Sequence, residues 1–300
     1  MSRAADTSNG TRTAPLAPGT THLTSGRFYG HVERQWTSDL VTVSLVRHDA
    51  ARAVPEHSHA HAFIMLLLEG RYRERVRDQQ VECLPMSLVF HPEGMVHQDD
   101  ILSDGTRFLT VEVSPVMLSD DMREDRGVSS IRDLSGGPPV WSMLRLLHDL
   151  AVASHRPLAI EEPVAELLQT LPVHSLAERS SPEPAWLNRV DRLLDARYRE
   201  PIALRELADE AGVHPVHLSR VFKRVRGVSI RSAVHRRRVM DACRLLQDSR
   251  KPLAEIALLT GFYDQSHLCS VVRRVTGLSP RDMRRLVRHE HKSRKSSPDA

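Results

Sequence analysis

One pattern constrains the fold of this chain more than any other: its last hundred or so residues repeat themselves. Leu204, Leu207 and Ala208 precede Gly212 and Val213, and His217, Leu218, Lys223, Arg224 and then Gly227, Val228 and Ser229 follow. The same order returns as Leu253, Ile256 and Ala257 before Gly261 and Phe262, then His267, Leu268, Arg273, Arg274 and Gly277, Leu278 and Ser279. The offset is 49 residues up to the glycine and 50 from the histidine onward, so one turn holds an extra residue.

Each position in the repeat has a physical reason. Two helices crossing steeply over a short turn need a small residue where they approach most closely, which Ala208 and Ala257 supply. A tight turn often needs left-handed backbone, where a Cβ costs energy, and Gly212 and Gly261 avoid that cost. Val213 and Phe262 serve as apolar plugs beyond the turn. Leu218, Val221 and Phe222, like Leu268, Val271 and Val272, form the buried stripe of a second helix. Gly227 and Gly277 stop those helices. The pattern predicts two helix-turn-helix units, at 204–225 and 253–275. Val234, Val239, Ala242, Leu245 and Leu246 keep helical register over residues 229–247, so a single linking helix holds the units apart. Recognition helices one DNA repeat apart, roughly 34 Å, can enter successive major grooves from one face.

Charge follows the same division. The overall net of +4 conceals a basic part from Trp186 onward, with 25 Lys and Arg against 13 Asp and Glu, and an acidic remainder with 17 against 25. Only the first of these suits a polyanion. Cys83, Cys243 and Cys269 are scattered and odd in number, which predicts reduced thiols and a cytoplasmic setting. The longest apolar run, Ala62 to Leu68, is too short to cross a bilayer, so no membrane partner is expected.

The N-terminal part has a different period. Residues 1–25 are rich in Thr, Ser, Ala and Pro and are expected to be a disordered leader. Val41, Val43 and Leu45 alternate with Thr42 and Ser44, and Arg71, Arg73, Arg75 and Arg77 alternate with Tyr72, Glu74 and Val76. Period two with turns at Pro85, Gly94 and Gly105 predicts an antiparallel sandwich or barrel over 26–115. The arginine stripe is most simply an exposed strand face, with a minority alternative that places one or two of them inside against a carboxylate effector. Residues 116–176 turn helical, with Val140, Leu144, Leu147 and Ala151, then Val164, Leu167, Leu168 and Leu171, at steps of three and four. These helices either pair two subunits or pack on the barrel. Residues 177–185 are expected to be a linker, 186–288 the helical domain, and 289–300 a disordered tail. The fold class is therefore α+β.

The C-terminal pattern resembles the AraC/XylS family of bacterial regulators over 186–288. The match rests on Leu218 to Lys223, Arg238, Ala242, Leu245 and Leu246, Glu255 to Ala257, Gly261 and Phe262, and Gly277 to Pro280. The resemblance implies a sequence-specific transcription regulator with promoter DNA as partner, RNA polymerase and a second subunit as further partners, and no enzymatic activity. It places Val216, Ser219 and Arg220 at base edges from the first recognition helix, and Gln265, Ser266, Cys269 and Ser270 from the second. Lys223, Arg224, Arg273 and Arg274 suit phosphates, which position without reading sequence. His217 and His267 suit packing as well as DNA contact. The family commonly has aromatic residues at the positions of Leu268 and Val272 and a basic one at that of Ser270. The first unit is therefore expected to read more of the site.

His57, His59 and His61 alternate just before the apolar strand, with His91 and His97 about thirty residues on. On one strand the three would share a face. The segment is similar to a degenerate cupin barrel, the sensor fold of many members of that family. Metal-binding cupins add a glutamate shortly after the paired histidines, where this chain has Phe63 and Ile64. The expectation is therefore an organic small-molecule effector lined by His57, His59, His61 and His97, with no metal cofactor. A metal held by His57, His59 and His97 is the alternative. A cupin metalloenzyme with an appended nucleic-acid module is the rival function, although no nucleophile–base pairing stands out.

Overall fold

The computed structural model describes residues 20–119, 122, 132–133, 137–152, 160–171, 184–226, 228–248 and 251–287. Their strands form two facing sheets. The first sheet runs in the order β1 (Thr21–Leu23), β4 (Arg52–His59), β9 (His97–Ile101), β6 (Tyr72–Val76) and β7 (Gln79–Cys83). The second runs β11 (Arg132–Asp133), β8 (Leu88–His91), β5 (Ala62–Glu69), β10 (Thr106–Val113), β3 (Val41–His48) and β2 (His31–Thr37). Every pairing is antiparallel except that of β1 with β4.

Two expectations shift here. Thr21–Leu23 pairs with residues 57–59 and the carbonyl of Leu23 accepts from the amide of Ala60, so the sandwich begins inside the predicted leader. The predicted helical segment 116–176 likewise contributes β11, which pairs with β8. Both strands are too short to carry a detectable alternation.

The run Ala62 to Leu68 is apolar throughout because β5 is buried on both faces, as central strands covered on each side are. Phe63, Met65 and Leu67 point between the sheets, while Ala62, Ile64, Leu66 and Leu68 point outward. The outward face is covered by α1 (Pro138–Val152) and α2 (Glu161–Thr170), whose apolar stripes include Val140, Met143, Leu144 and Leu147, and Val164 and Leu167. Burying each such leucine contributes roughly 1.5–3 kcal/mol.

The C-terminal part is all helix among the described residues. It comprises α3 (Ala185–Arg197), α4 (Leu204–Ala211), α5 (Pro215–Arg226), the linking helix α6 (Ile230–Asp248), α7 (Leu253–Leu259), α8 (Gln265–Thr276) and α9 (Pro280–Val287). Most of the predicted linker, Gly227 and the predicted tail lie outside the described residues. The first unit has its own core, built on Leu187, Leu194, Leu207, Leu218 and Phe222. The second does not. Ile256, Leu268, Val271 and Met283 belong to one continuous cluster with α1, α2 and the outer face of the second sheet. No helix of the described residues is long and apolar enough to cross a membrane.

Candidate functional site

The two helix-turn-helix units repeat the same turn in detail. Gly212 and Gly261 sit at φ 70° and 80°, and Ala208 and Ala257 are fully buried at the helix crossings. The carbonyl of Ala208 accepts from the amide of Val213 at 3.0 Å, and that of Ala257 accepts from Phe262 at 2.9 Å. The extra residue falls in the second turn, where the carboxylate of Asp264 accepts from the His267 amide at 2.7 Å and starts α8. Gly277, at φ 79°, ends that helix.

The recognition surfaces are open. On α5, Val216 is 59% exposed, Arg220, Lys223 and Arg224 are exposed and Ser219 is half-buried. On α8, Gln265, Ser266, Ser270 and Arg273 are exposed and Cys269 is half-buried. Arg274 is exposed as well. Its guanidinium lies 3.3 Å from His235 Nδ1 on α6, in a groove shared with Trp141 and Arg145 of α1. His217 is exposed beside Trp186, and the half-buried His267 lies against Phe262. The linking helix has 19 residues, about 28 Å at 1.5 Å per residue, close to the scale of one DNA repeat. It is fixed to the end of α3 by Arg238, which donates to the carbonyls of Tyr198 and Glu200, and by the 2.7 Å pair of Arg199 with Asp241.

Between the sheets lies a second site. His57 on β4 stands directly opposite His97 on β9, with ring centroids 4.2 Å apart, and His59 lies 5.2 Å from His57 and 5.6 Å from His97. His61 does not join them. It falls past the end of β4, in the bend before β5, and does not line the cavity. The arginine stripe faces outward to Glu82 and Asp100, which removes the alternative of arginines inside the barrel. The stripe's alternate residues, Tyr72, Glu74 and Val76, point inward and are buried.

Sequence reasoning thus missed two interior carboxylates. Asp99 Oδ2 lies 3.7 Å from His57 Nε2 and 3.9 Å from His97 Nε2, and its Oδ1 accepts from the Tyr72 hydroxyl at 2.9 Å. Glu74 Oε1 lies 2.9 Å from His91 Nε2. The available signals were the inward phase of β6, with a glutamate between two apolar residues, and the spacing of Asp99 two residues after His97. Phe63, at the position where the cupin glutamate is expected, stacks on His91 with centroids 4.1 Å apart.

Burial governs the charge states in this interior. It pulls His57, His91 and His97 down to about 4 and His59 to about 2, so the imidazoles stay neutral. It pushes Asp99 up to about 7 and raises Glu74 as well. Two donor sets could hold a metal: His57, His59 and His97, and Glu74, His91 and His97. The cavity itself is about 40 Å³. A roomier cleft of about 840 Å³ lies outside the sandwich, with Trp36, Leu147 and Arg285 among its walls.

Comparison with known proteins finds a match to each part of the chain. Residues 43–171 match the model of an AraC-like ligand binding domain, and residues 207–286 match that of a helix-turn-helix domain. The chain is 26% identical over 276 residues to the uncharacterised HTH-type transcriptional regulator YbfI of Bacillus subtilis, a match spanning 87% of this chain and 90% of that one. It is 32% identical over 119 residues to the transcriptional activator RhaS of Klebsiella pneumoniae, spanning 40% of this chain and 43% of RhaS. A solved structure of the AdpA DNA-binding domain in complex with a target DNA is 27% identical and covers 35% of this chain and 92% of that one, with a TM-score of 0.32. With a ligand-binding domain over its sandwich and a helix-turn-helix domain over its repeat, the chain belongs to the AraC/XylS family of transcription regulators.

Proposed function

We propose that the chain controls transcription at promoter DNA in response to a ligand held between the sheets of its sandwich. Val216, Ser219 and Arg220 on α5, and Gln265, Ser266, Cys269 and Ser270 on α8, are the residues that reach base edges. Arginine can grip guanine O6 and N7 with two hydrogen bonds, and glutamine can pair with adenine N6 and N7. Lys223, Arg224, Arg273 and Arg274 neutralise phosphates, Arg274 from beside His235. RNA polymerase at the bound promoter is the machinery acted upon. The apolar stripes of α1 and α2 are covered by the sheet and are not free to pair subunits.

The observation that carries the ligand response is the shared core. One cluster runs from the outer face of β5 through α1 into the second helix-turn-helix unit, while the first unit packs separately. Phe63 lines the cavity from the same strand whose Ile64 and Leu66 face α1. Close-packed cores switch between discrete arrangements rather than deform smoothly. A ligand that moves β5 therefore shifts the second unit relative to the first. In vitro transcription from promoters captured by the purified protein tests this reading. Transcript initiation is expected to change several-fold on adding protein; promoters that are bound with unchanged output would overturn the regulatory role.

A further inference from the structure

We infer that the groove between α1, α6 and α8 binds the phosphate group of a small phosphorylated molecule, gripped by Arg145, Arg231, Arg236 and Arg274. The site is separate from the ligand held between the sheets, since the groove shares no lining residue with the interior at His57 and His97.

The four arginines gather from three elements. Arg145 comes from α1, Arg231 and Arg236 from the first two turns of α6, and Arg274 from the last turn of α8. Among the described residues no acidic side chain lines the groove, and none of the four arginines forms an ion pair. Arg197 and Arg237, by contrast, are each answered by carboxylates. Like charges gathered in one recess repel. His235, on the same wall, registers their field: burial, and then the charges of Arg231 and Arg274, pull it down to about 4. An anion seated among the guanidinium groups offsets that repulsion.

The side chains beneath the arginines are donors too. Trp141 is 3% exposed and lines the groove, and its indole N–H is buried without an acceptor. Buried donors in native proteins almost always have a partner, so this one points to an acceptor brought by a ligand. A guanidinium only donates, so the 3.3 Å contact of Arg274 with His235 Nδ1 leaves the ring proton on Nε2, a further donor. Arg145 lies across Gly277 at the end of α8, where a Cβ would come within 3.0 Å of its Cδ. The arginine of the sandwich helix is thereby held beside those of the second helix-turn-helix unit.

The class of anion follows from charge and room. A phosphate monoester carries about −1.5 to −2 charges and three acceptor oxygens, which suits several guanidinium forks. A carboxylate carries one charge and two oxygens, and a single fork satisfies it. The groove encloses about 560 Å³, within the roughly 300–1,000 Å³ of small-molecule sites. An organic body therefore fits beside the phosphate, against Pro138 and Val275. The DNA backbone is the competing source of phosphate, and Arg274 is common to both roles. Backbone phosphates are met at exposed helix edges such as those of Lys223, Arg224 and Arg273. The groove is instead a recess walled by a helix of the sandwich and by two buried side chains, Trp141 and His235.

The test titrates the full chain, free of DNA, with glucose 6-phosphate, inorganic phosphate and acetate at fixed ionic strength, in a buffer without other multivalent anions. One equivalent of glucose 6-phosphate is expected to bind, inorganic phosphate to compete with it, and acetate not to bind. Arg145→Gln and Arg231→Gln should each weaken binding about 10-fold or more, because each removes a charge-assisted hydrogen bond. Arg75→Gln, outside the groove, should leave it unchanged. The indole N–H resonance of Trp141, assigned with Trp141→Phe in ¹⁵N spectra, reports on the wild-type chain and so does not depend on how the arginine variants fold. It is expected to shift on adding glucose 6-phosphate. Absence of binding in the wild type, equal affinity for acetate, or full affinity in both groove variants overturns the inference. A Trp141 signal that shifts with a random DNA duplex but not with glucose 6-phosphate also overturns it, by assigning the groove to the DNA backbone.

Discussion

At the scale of single residues, Arg220 and Lys223 lie on the same exposed side of α5 yet have different tasks. Arg220→Ala is expected to cost ~1–3 kcal/mol on the preferred DNA and to relax selection at one base position. Lys223→Ala is expected to weaken preferred and random DNA alike and to lower the salt dependence, since it removes a phosphate contact. Fluorescence anisotropy on both DNAs over a salt series separates the two. Equal losses for Arg220→Ala on both DNAs would remove its base-reading role. The residue scale is also where the sequence was least complete. His57, His59 and His97 were legible because alternation along a strand fixes their side. Glu74 and Asp99 were not, because strand pairing, not spacing, decides which interior a residue enters. Alternation set the arginine face of β6 apart from Tyr72, Glu74 and Val76 but did not show that this second face enters the histidine interior, and one bend was enough to part His61 from its neighbours.

The element scale was the most legible, and the paired glycines show both its reach and its limit. The repeat called for left-handed turns at Gly212 and Gly261, and both are left-handed. It did not reveal that the two are unequal. A Cβ on Gly212 would meet nothing within 4 Å, while one on Gly261 would come within 2.3 Å of the backbone oxygen of Arg199. The turn of the second unit rests on the chain just after α3, so this glycine sets how closely the two units approach. Gly212→Ala is expected to cost ~1–2 kcal/mol through backbone strain alone. Gly261→Ala should add ~1–3 kcal/mol of overpacking against immovable backbone. Denaturant unfolding of the two variants measures the difference, and equal costs would mean that the close approach carries no energy.

At the scale of the whole molecule, the boundary suggested by composition is not the boundary of the cores. Charge and period divide the chain near residue 185, but the buried cluster joins the sandwich to the second helix-turn-helix unit and leaves the first apart. Periodicity marks which face of a helix is apolar and is silent about which partner covers it, so α1 could be read as a dimer surface. Trp141 on α1 is 3% exposed and lines the groove with His235 and Arg274. Trp141→Ala is expected to destabilise by ~3–5 kcal/mol and to speed hydrogen exchange in α8 and α9 while leaving α4 and α5 protected. Uniform loss of protection across both units would contradict the division of the cores.

The most direct measurement on the molecule as a whole is selection of DNA from a random pool by the full-length protein at fixed salt, followed by sequencing. The expected product is one motif with two boxes centred about 10–10.5 base pairs apart, as two recognition helices in successive major grooves require. The box read by α5 should be the more sharply defined. Retention of DNA with no enriched motif, or a single box without a partner one turn away, would contradict sequence-specific reading by the tandem units.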